Sequence, residues 1–168
     1  MGGVLVILLT SCTTLPKGVQ PVSNFELDRY LGQWHEIARL DHSFEKDLIN
    51  VTATYSMRED GGVKVINRGF NTVEKSDSEA EGKAYFMGDE SLGSLKVSFF
   101  GPFYGGYHIA KLSSDYQMAL VIGPSLDYAW ILARSAQPNK IQCDAFYNKA
   151  EELGISRDSW IEGHVCKA

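Results

Sequence analysis

The sequence predicts an all-β fold: an eight-stranded antiparallel up-and-down β-barrel with one C-terminal α-helix and a short final strand. Short segments of alternating apolar and polar residues recur between residues 34 and 134, and turn residues separate them. Gly32 and Trp34 open the first strand, and Arg134 closes the last. This arrangement is expected of a small closed barrel with one plugged end, which has room for one apolar guest. An open sandwich is the structural alternative, although closure removes the exposed strand edges.

Eight segments are predicted as strands. They cover residues 34–40, 51–57, 63–68, 82–86, 94–100, 107–112, 117–122 and 128–134. Residues 60–62, Asp-Gly-Gly, predict the hairpin between the second and third strands. We expect residues 71–79 to form a polar loop. Residues 101–106 are expected to form a bend, because they are too rich in glycine for the centre of a strand.

Helical segments are predicted on both sides of the barrel. Residues 24–31 predict a short helical turn before the first strand. After the last strand, apolar residues between Ile141 and Leu153 fit one helical stripe. Asn139 is suited to cap the start of this helix, and Gly154 suits its C-terminal end.

Two cysteines, Cys143 and Cys166, flank the predicted final strand over residues 160–165. A helix followed by a strand can run out and back, which would return Cys166 to the neighbourhood of Cys143. In an oxidising compartment such a pair is expected to form a disulfide, and two buried thiols are the alternative.

Composition narrows the function classes. The chain has 168 residues, enough for one domain with a real core, and its net charge is −5. Since no basic run stands out, nucleic-acid binding is not expected. The four histidines are scattered, so the sequence predicts no metal site and no cofactor. No G-x-S-x-G motif indicates a hydrolase nucleophile.

The N-terminal residues predict a lipoprotein signal. Residues 4–9 form an apolar run too short to span a bilayer, and residues 9–12 read Leu-Thr-Ser-Cys. Small residues before a cysteine are what a bacterial lipoprotein signal peptidase accepts. We therefore expect residues 1–11 to be removed, Cys12 to carry lipid, residues 12–23 to form a tether and residues 24–168 to form the barrel domain. An ordinary secretory signal with a chance cysteine is the alternative.

Three short motifs, taken in order, resemble the signatures of the lipocalin family. Residues 32–34, Gly-Gln-Trp, look like the first signature, and residues 114–116, Ser-Asp-Tyr, look like the second, with serine in place of the usual threonine. Arg134, after residues 130–133, looks like the third. The resemblance covers residues 25–165. Within the family, the chain is most similar to the outer-membrane lipocalins of bacteria.

The resemblance implies that the signature residues serve structure. They are Gly32, Trp34, Asp115, Tyr116 and Arg134. In the family the guanidinium packs on the indole face at the closed end of the barrel, a contact that contributes about 1–2 kcal/mol when it is desolvated. These residues are not expected to touch a ligand.

Ligand contacts are expected from side chains that point into the barrel. Parity from Trp34 places Glu36 and Ala38 inside, and the resemblance suggests the candidates on the second and third strands. The others lie on the remaining predicted strands. The candidates are Glu36, Ala38, Val51, Ala53, Tyr55, Val65, Asn67, Phe86, Leu95, Val97, Phe99, Tyr107, Tyr128 and Trp130. For each of them, packing of the barrel bottom is the alternative role. Glu36 is either the polar anchor of an amphipathic ligand or part of a structural hydrogen bond.

The resemblance and the N-terminal signal together predict a lipid-binding protein, not an enzyme. We expect it to store or transport fatty acids or lysophospholipids in the bacterial cell envelope. We also expect it to be anchored in the outer membrane through its N-terminal lipid and to face the periplasm. A lipid-processing enzyme on the same barrel and a structural envelope lipoprotein are the alternatives. Whether the chain is a monomer or a homodimer is left open by the sequence.

Overall fold

A computed structural model describes residues 13–168, so the predicted signal segment and Cys12 lie outside the described residues. The strands are β1 Gly32–Leu40, β2 Leu48–Met57, β3 Val63–Asn71, β4 Ser76–Phe86, β5 Ser94–Phe100, β6 Phe103–Leu112, β7 Met118–Ile122, β8 Ala129–Ala133 and β9 Trp160–Glu162. The helices are α1 Leu27–Tyr30 and α2 Lys140–Glu152, with 3-10 turns at Ser43–Glu45 and Arg157–Ser159. Among these described helices, none is both long and apolar enough to cross a membrane.

Strands β1 to β8 close into an antiparallel barrel. Each strand pairs with the next along the chain, and β1 pairs with both β2 and β8. The short strand β9 adds to the far end of β1, where Ala38 pairs with Glu162. The predicted barrel, helix and final strand are therefore confirmed.

Two predicted loops are partly strand. β3 and β4 continue to a tight turn over residues 72–75, so residues 76–79 of the expected polar loop are paired, as in Gly69 with Ser78. The residues of this extension are mostly exposed, which explains why they lack hydrophobic alternation. The expected bend at residues 101–106 is also shorter, because β6 begins at Phe103. Gly106 is required in this strand, since a Cβ there would lie 2.6 Å from the ring of His108.

A β-bulge in β1 changes the direction of one predicted ligand contact. Glu36 pairs with Leu132, but Ala38 pairs with Ile131, so Ile37 is the extra residue. Beyond the bulge the parity is reversed. Ala38 consequently packs with Ile131 in the core outside the barrel wall. The prediction that Ala38 points into the barrel is wrong for this reason.

The core has two parts, one inside the barrel and one between the barrel wall and α2. The outer part includes Ile37, Leu120 and Ile131, which pack against Phe146 and Tyr147 of the helix. α2 begins as predicted, because the Asn139 side chain accepts a hydrogen bond from the Ile141 amide at 2.8 Å. It ends before Gly154, whose φ of +99° is readily adopted only by glycine.

The C-terminal segment is fixed to α2 by a disulfide. Cys143 and Cys166 are bonded, and the Cys143 side chain is buried in the outer core. The N-terminal segment is irregular but packs against the barrel: Val19 is buried, and the Val22 backbone bonds to Ile109 and Gly93. The residues expected to form a tether are therefore partly attached to the wall.

One end of the barrel is closed by Trp34, Arg134 and the short helix α1. The guanidinium carbon of Arg134 lies 4.0 Å from the Trp34 ring centroid. The Arg134 Nη2 donates to the carbonyl of Leu31 at 2.8 Å, and Nη1 donates to that of Gln33 at 2.9 Å. Gly32 has a φ of +97°, and a Cβ on it would lie 3.2 Å from this guanidinium. We call this closed end the floor.

The second signature motif also contributes to the floor. The ring of Tyr116 lies 4.0 Å from the guanidinium carbon of Arg29, and its hydroxyl accepts a hydrogen bond from the Glu26 amide at 3.0 Å. Asp115 accepts from the Gln117 amide in the turn between β6 and β7. The signature residues thus hold α1 under the barrel.

Candidate ligand-binding cavity

A cavity of about 450 Å³ lies inside the barrel above the floor. It opens at the opposite end, which we call the mouth, between the connections that follow β1, β3, β5 and β7. Its walls are mainly apolar, with contributions from Val51, Val65 and Val97. Apolar walls with a few polar groups are typical of small-molecule sites in proteins.

Most of the predicted ligand contacts line this cavity. They are Glu36, Val51, Ala53, Tyr55, Val65, Asn67, Val97, Phe99, Tyr107, Tyr128 and Trp130. Phe86 and Leu95 do not line it and lie in the inner core, where the Phe86 ring is 6.1 Å from that of Phe25. Both side chains point inward, but the end of β4 and the start of β5 lie at the floor, where these residues have the alternative role of packing the barrel bottom.

Several lining residues were not predicted. They are Phe44, Glu45, Leu48, Arg68, Gly69, Ser78, Ala80, Phe100, Phe103, Tyr104, Gly105, Gly106, Val121, Pro124 and Leu132. Alternation could have found Leu132, which is two residues from Trp130 in the same strand. Phe44 and Glu45 belong to a 3-10 turn that carries no periodic signal, so strand parity could not place them.

Three tyrosine hydroxyls form a chain at the bottom of the cavity. The Tyr107 hydroxyl lies 2.8 Å from those of Tyr30 and Tyr55. Burial raises the pKa of all three phenols, so they stay neutral and the chain carries no charge at neutral pH. Tyr30 also contacts Trp34, with ring centroids 4.7 Å apart, which joins the chain to the floor.

A buried cluster of charged side chains lies on one side of the cavity. Arg39 Nη1 donates to Glu36 Oε1 at 2.7 Å, and its Nη2 donates to the backbone carbonyls of Glu45 and Leu48. The Trp130 indole donates to Glu45 Oε2 at 2.9 Å. Glu36 and Glu45 are 2% and 6% exposed. The cluster fastens the connection between β1 and β2 to the barrel wall.

The charge of Glu36 is set by its surroundings. Burial, followed by repulsion from Glu45, raises the pKa of Glu36 from 4.5 to about 8, and the neighbouring Arg39 only partly opposes this effect. The protonated, uncharged form of Glu36 is therefore favoured at neutral pH, although Arg39 donates to it.

Aromatic rings surround His42 beside this cluster. The centroid of the His42 ring lies 3.8 Å from that of Phe44, 5.3 Å from Trp130 and 5.9 Å from Tyr128. Its Nε2 lies 2.7 Å from Glu45 Oε2, which is an ion-pair distance, although the contact does not meet hydrogen-bond geometry. Within residues 13–168, both ring nitrogens lack a hydrogen-bond partner.

Exposed phenylalanines surround the mouth. Phe44, Phe100 and Phe103 line the cavity and are 54%, 76% and 78% exposed. An apolar ligand that enters the cavity would pass these rings.

No group of three or more histidine, cysteine or acidic side chains in the described part of the chain is arranged to hold a metal ion.

Comparison with known proteins identifies the family. A family model described as a lipocalin-like domain matches residues 25–162. The chain belongs to the lipocalin family. It is 56% identical over 130 residues to outer membrane lipoprotein Blc of Citrobacter freundii, covering 77% of this chain and 73% of that protein. It is also 47% identical to outer membrane lipoprotein Blc of Vibrio cholerae over 156 residues, covering 92% and 91%.

Solved structures support the same lipocalin fold. Insecticyanin from the tobacco hornworm Manduca sexta superposes with a TM-score of 0.71 over 92% of this chain and 88% of that one. The two sequences are 19% identical, so this likeness concerns the fold alone.

Proposed function

We propose that this lipocalin is a lipoprotein of the bacterial outer membrane that binds fatty acids or lysophospholipids and stores or transports them in the cell envelope. The observation that carries the proposal is the apolar cavity above the tyrosine chain, open at a mouth rimmed with phenylalanine. Its volume of about 450 Å³ lies in the range of sites that bury most of a small ligand. We infer a binding protein rather than an enzyme.

The location is proposed from the N-terminal signal and from the relatives. Several acyl chains on Cys12 would hold the protein firmly on a membrane, since a single chain anchors only weakly. Residue 13 is threonine, whereas aspartate after the cysteine favours retention at the inner membrane in known lipoproteins. Two relatives carry the name outer membrane lipoprotein. We therefore propose that the barrel lies at the outer membrane and faces the periplasm.

Fluorescence of Trp130 tests lipid binding directly, because its indole lines the cavity. Delipidated protein is titrated with fatty acids and lysophospholipids of one chain length. The proposal predicts a saturable change that is lost in Trp130→Phe, although calorimetry still detects binding in that variant. The proposal is contradicted if neither fluorescence nor calorimetry detects binding of any of these lipids to the wild type.

A cavity-blocking variant gives a second test. Gly105 lines the cavity, and a Cβ on it would meet no atom within 4 Å, so Gly105→Phe adds a ring without a backbone clash. Lys83 precedes a buried alanine on β4 and points away from the interior, so Lys83→Phe is the matched control. We expect the first variant to lose lipid binding and the second to keep it.

A further inference from the structure

We propose that the outer face of β5 and β6, together with the N-terminal segment over residues 13–24, docks onto the anionic phospholipid surface of the membrane that holds the lipid anchor. We call this surface the docking face. The barrel then lies on its side against the head groups, instead of moving freely at the end of a tether. The inference goes beyond lipid binding in the cavity, and it rests on the proposed acylation of Cys12.

The docking face carries positive charge. Residues 13–24 and 94–112 contain three lysines and no aspartate or glutamate, although the whole chain has 21 acidic residues and a net charge of −5. The lysines are Lys17, Lys96 and Lys111, and each is at least partly exposed. A lysine close to an anionic lipid surface is attracted to it, so the charge of this face suits a layer of phospholipid head groups.

Acidic residues on the neighbouring elements do not cancel this charge. Glu79 and Glu81 of the adjacent strand β4 are each paired with a basic residue of β3, at 2.7 Å and 3.2 Å. Asp89 and Glu90 lie in the turn before β5, at the floor end of the barrel. The outward-facing side chains of β5 and β6 therefore keep their positive sign.

Aromatic and apolar side chains accompany the lysines. The Tyr104 ring lies on the outer face near the mouth, where its centroid is 4.9 Å from Lys96 Nζ and 6.4 Å from the ring of Tyr85. Leu15 of the N-terminal segment is 45% exposed. Tyrosine is typical of membrane–water interfaces, because its ring is apolar and its hydroxyl is polar.

The N-terminal segment brings the lipid anchor to the same face. His108 alternates with Tyr107, which lines the cavity, so it points outward; it is nevertheless fully buried, and the Thr14 backbone contacts it. Cys12 is two residues before Thr14, so even an extended backbone keeps it within about 7 Å of that contact. Acyl chains attached there would hold the wall formed by β5 and β6 close to the bilayer.

This orientation also brings the mouth to the membrane. Phe100 ends β5 and Phe103 begins β6, and both rings are exposed at the rim of the cavity. A barrel that lies on the docking face places this rim at the level of the head groups. Lipid anchors on proteins hold more firmly when a basic patch supplies a second attraction, which is the role that we assign to the docking face.

Sedimentation with vesicles tests the docking face without the anchor. Residues 12–168 with Cys12→Ser, which cannot be acylated there, are mixed with vesicles of equal parts phosphatidylglycerol and phosphatidylcholine, or of phosphatidylcholine alone. We expect the anionic vesicles to bind at least about fivefold more protein, and added salt to weaken this binding. The net charge of −5 alone would predict repulsion. Lys17→Glu and Lys96→Glu should each lower binding at least about fivefold.

Lys167→Glu is the matched control, because it changes the net charge by the same amount. Lys167 follows β9, which pairs with β1, and β1 is opposite β5 in the order of the eight strands. This variant should keep wild-type vesicle binding within about twofold. The inference is wrong if the wild type does not distinguish the two kinds of vesicle, or if Lys167→Glu weakens binding as much as the other two substitutions.

The fluorescence of Trp130 measures cavity binding separately. If vesicle binding fails while the Trp130 response to single-chain lipids remains, the docking face is wrong and the proposed lipid binding stands. Should a lysine variant not fold, the comparison of the two kinds of vesicle with wild-type lysines still decides.

Discussion

Replacement of Glu36 by glutamine should make the stability of the protein depend less on pH. The pKa of Glu36 rises from 4.5 to about 8 on folding, so the folded state holds this proton more tightly than the unfolded state. The resulting stabilisation is complete below about pH 4.5 and is lost as the pH rises to about 8. Glutamine carries no such proton, but it keeps an oxygen that can accept from Arg39.

The size of this change in stability follows from the two pKa values of Glu36. Each pH unit between the two values changes the free energy of unfolding by about 1.4 kcal/mol. Between pH 5 and pH 8 the wild type should therefore lose about 4 kcal/mol relative to Glu36→Gln. The constant cost of a weaker contact with Arg39 cancels from this comparison, because it is the same at each pH.

Urea unfolding of delipidated protein at pH 5, 6.5 and 8 measures the effect, and the slope m shows whether unfolding remains comparable. Glu81→Gln is the matched control, because Glu81 is an exposed acid paired with Lys64, and it should follow the wild type. If the difference between wild type and Glu36→Gln stays constant within about 1 kcal/mol over this range, Glu36 is ionised throughout. The account of a buried Glu36 that stays protonated beside Glu45 would then be wrong.

Three further predictions concern stability. Arg134→Ala removes the contact with Trp34 and the hydrogen bonds to the floor, so it should lower the free energy of unfolding by about 3 kcal/mol. A loss below about 1 kcal/mol would contradict the conclusion that Arg134 stabilises the closed end of the barrel. Tyr107→Phe leaves two buried hydroxyls without their partner and should cost about 2 kcal/mol, measured by urea unfolding against wild type. Substitution of both Cys143 and Cys166 by serine should cost about 3 kcal/mol, and reductant should weaken the wild type but not this variant.

The architecture could be predicted from the sequence because the barrel depends on local patterns. Alternating strands, the turn at residues 60–62 and the Asn139 cap each act over a few residues, and the structure has all of them. The contact of Arg134 with Trp34 connects the first strand of the barrel with the end of the eighth at the floor, and it was expected from the lipocalin resemblance rather than from spacing.

The candidate site was less predictable because it depends on irregular structure. One extra residue, Ile37, reverses the parity of β1 and turns Ala38 outward, and nothing in the alternation marks this bulge. Phe44 and Glu45 reach the cavity from a 3-10 turn, where parity has no meaning. The buried cluster around Glu36 could therefore be recognised only from the three-dimensional structure.

Lipid identification by mass spectrometry, on protein purified from its native envelope without detergent exchange, tests the central claim most directly. The account predicts a single-chain lipid in near-stoichiometric amount that is lost in Gly105→Phe and retained in Lys83→Phe. Protein that contains no lipid, together with a cavity that takes up none when lipid is supplied, would contradict it.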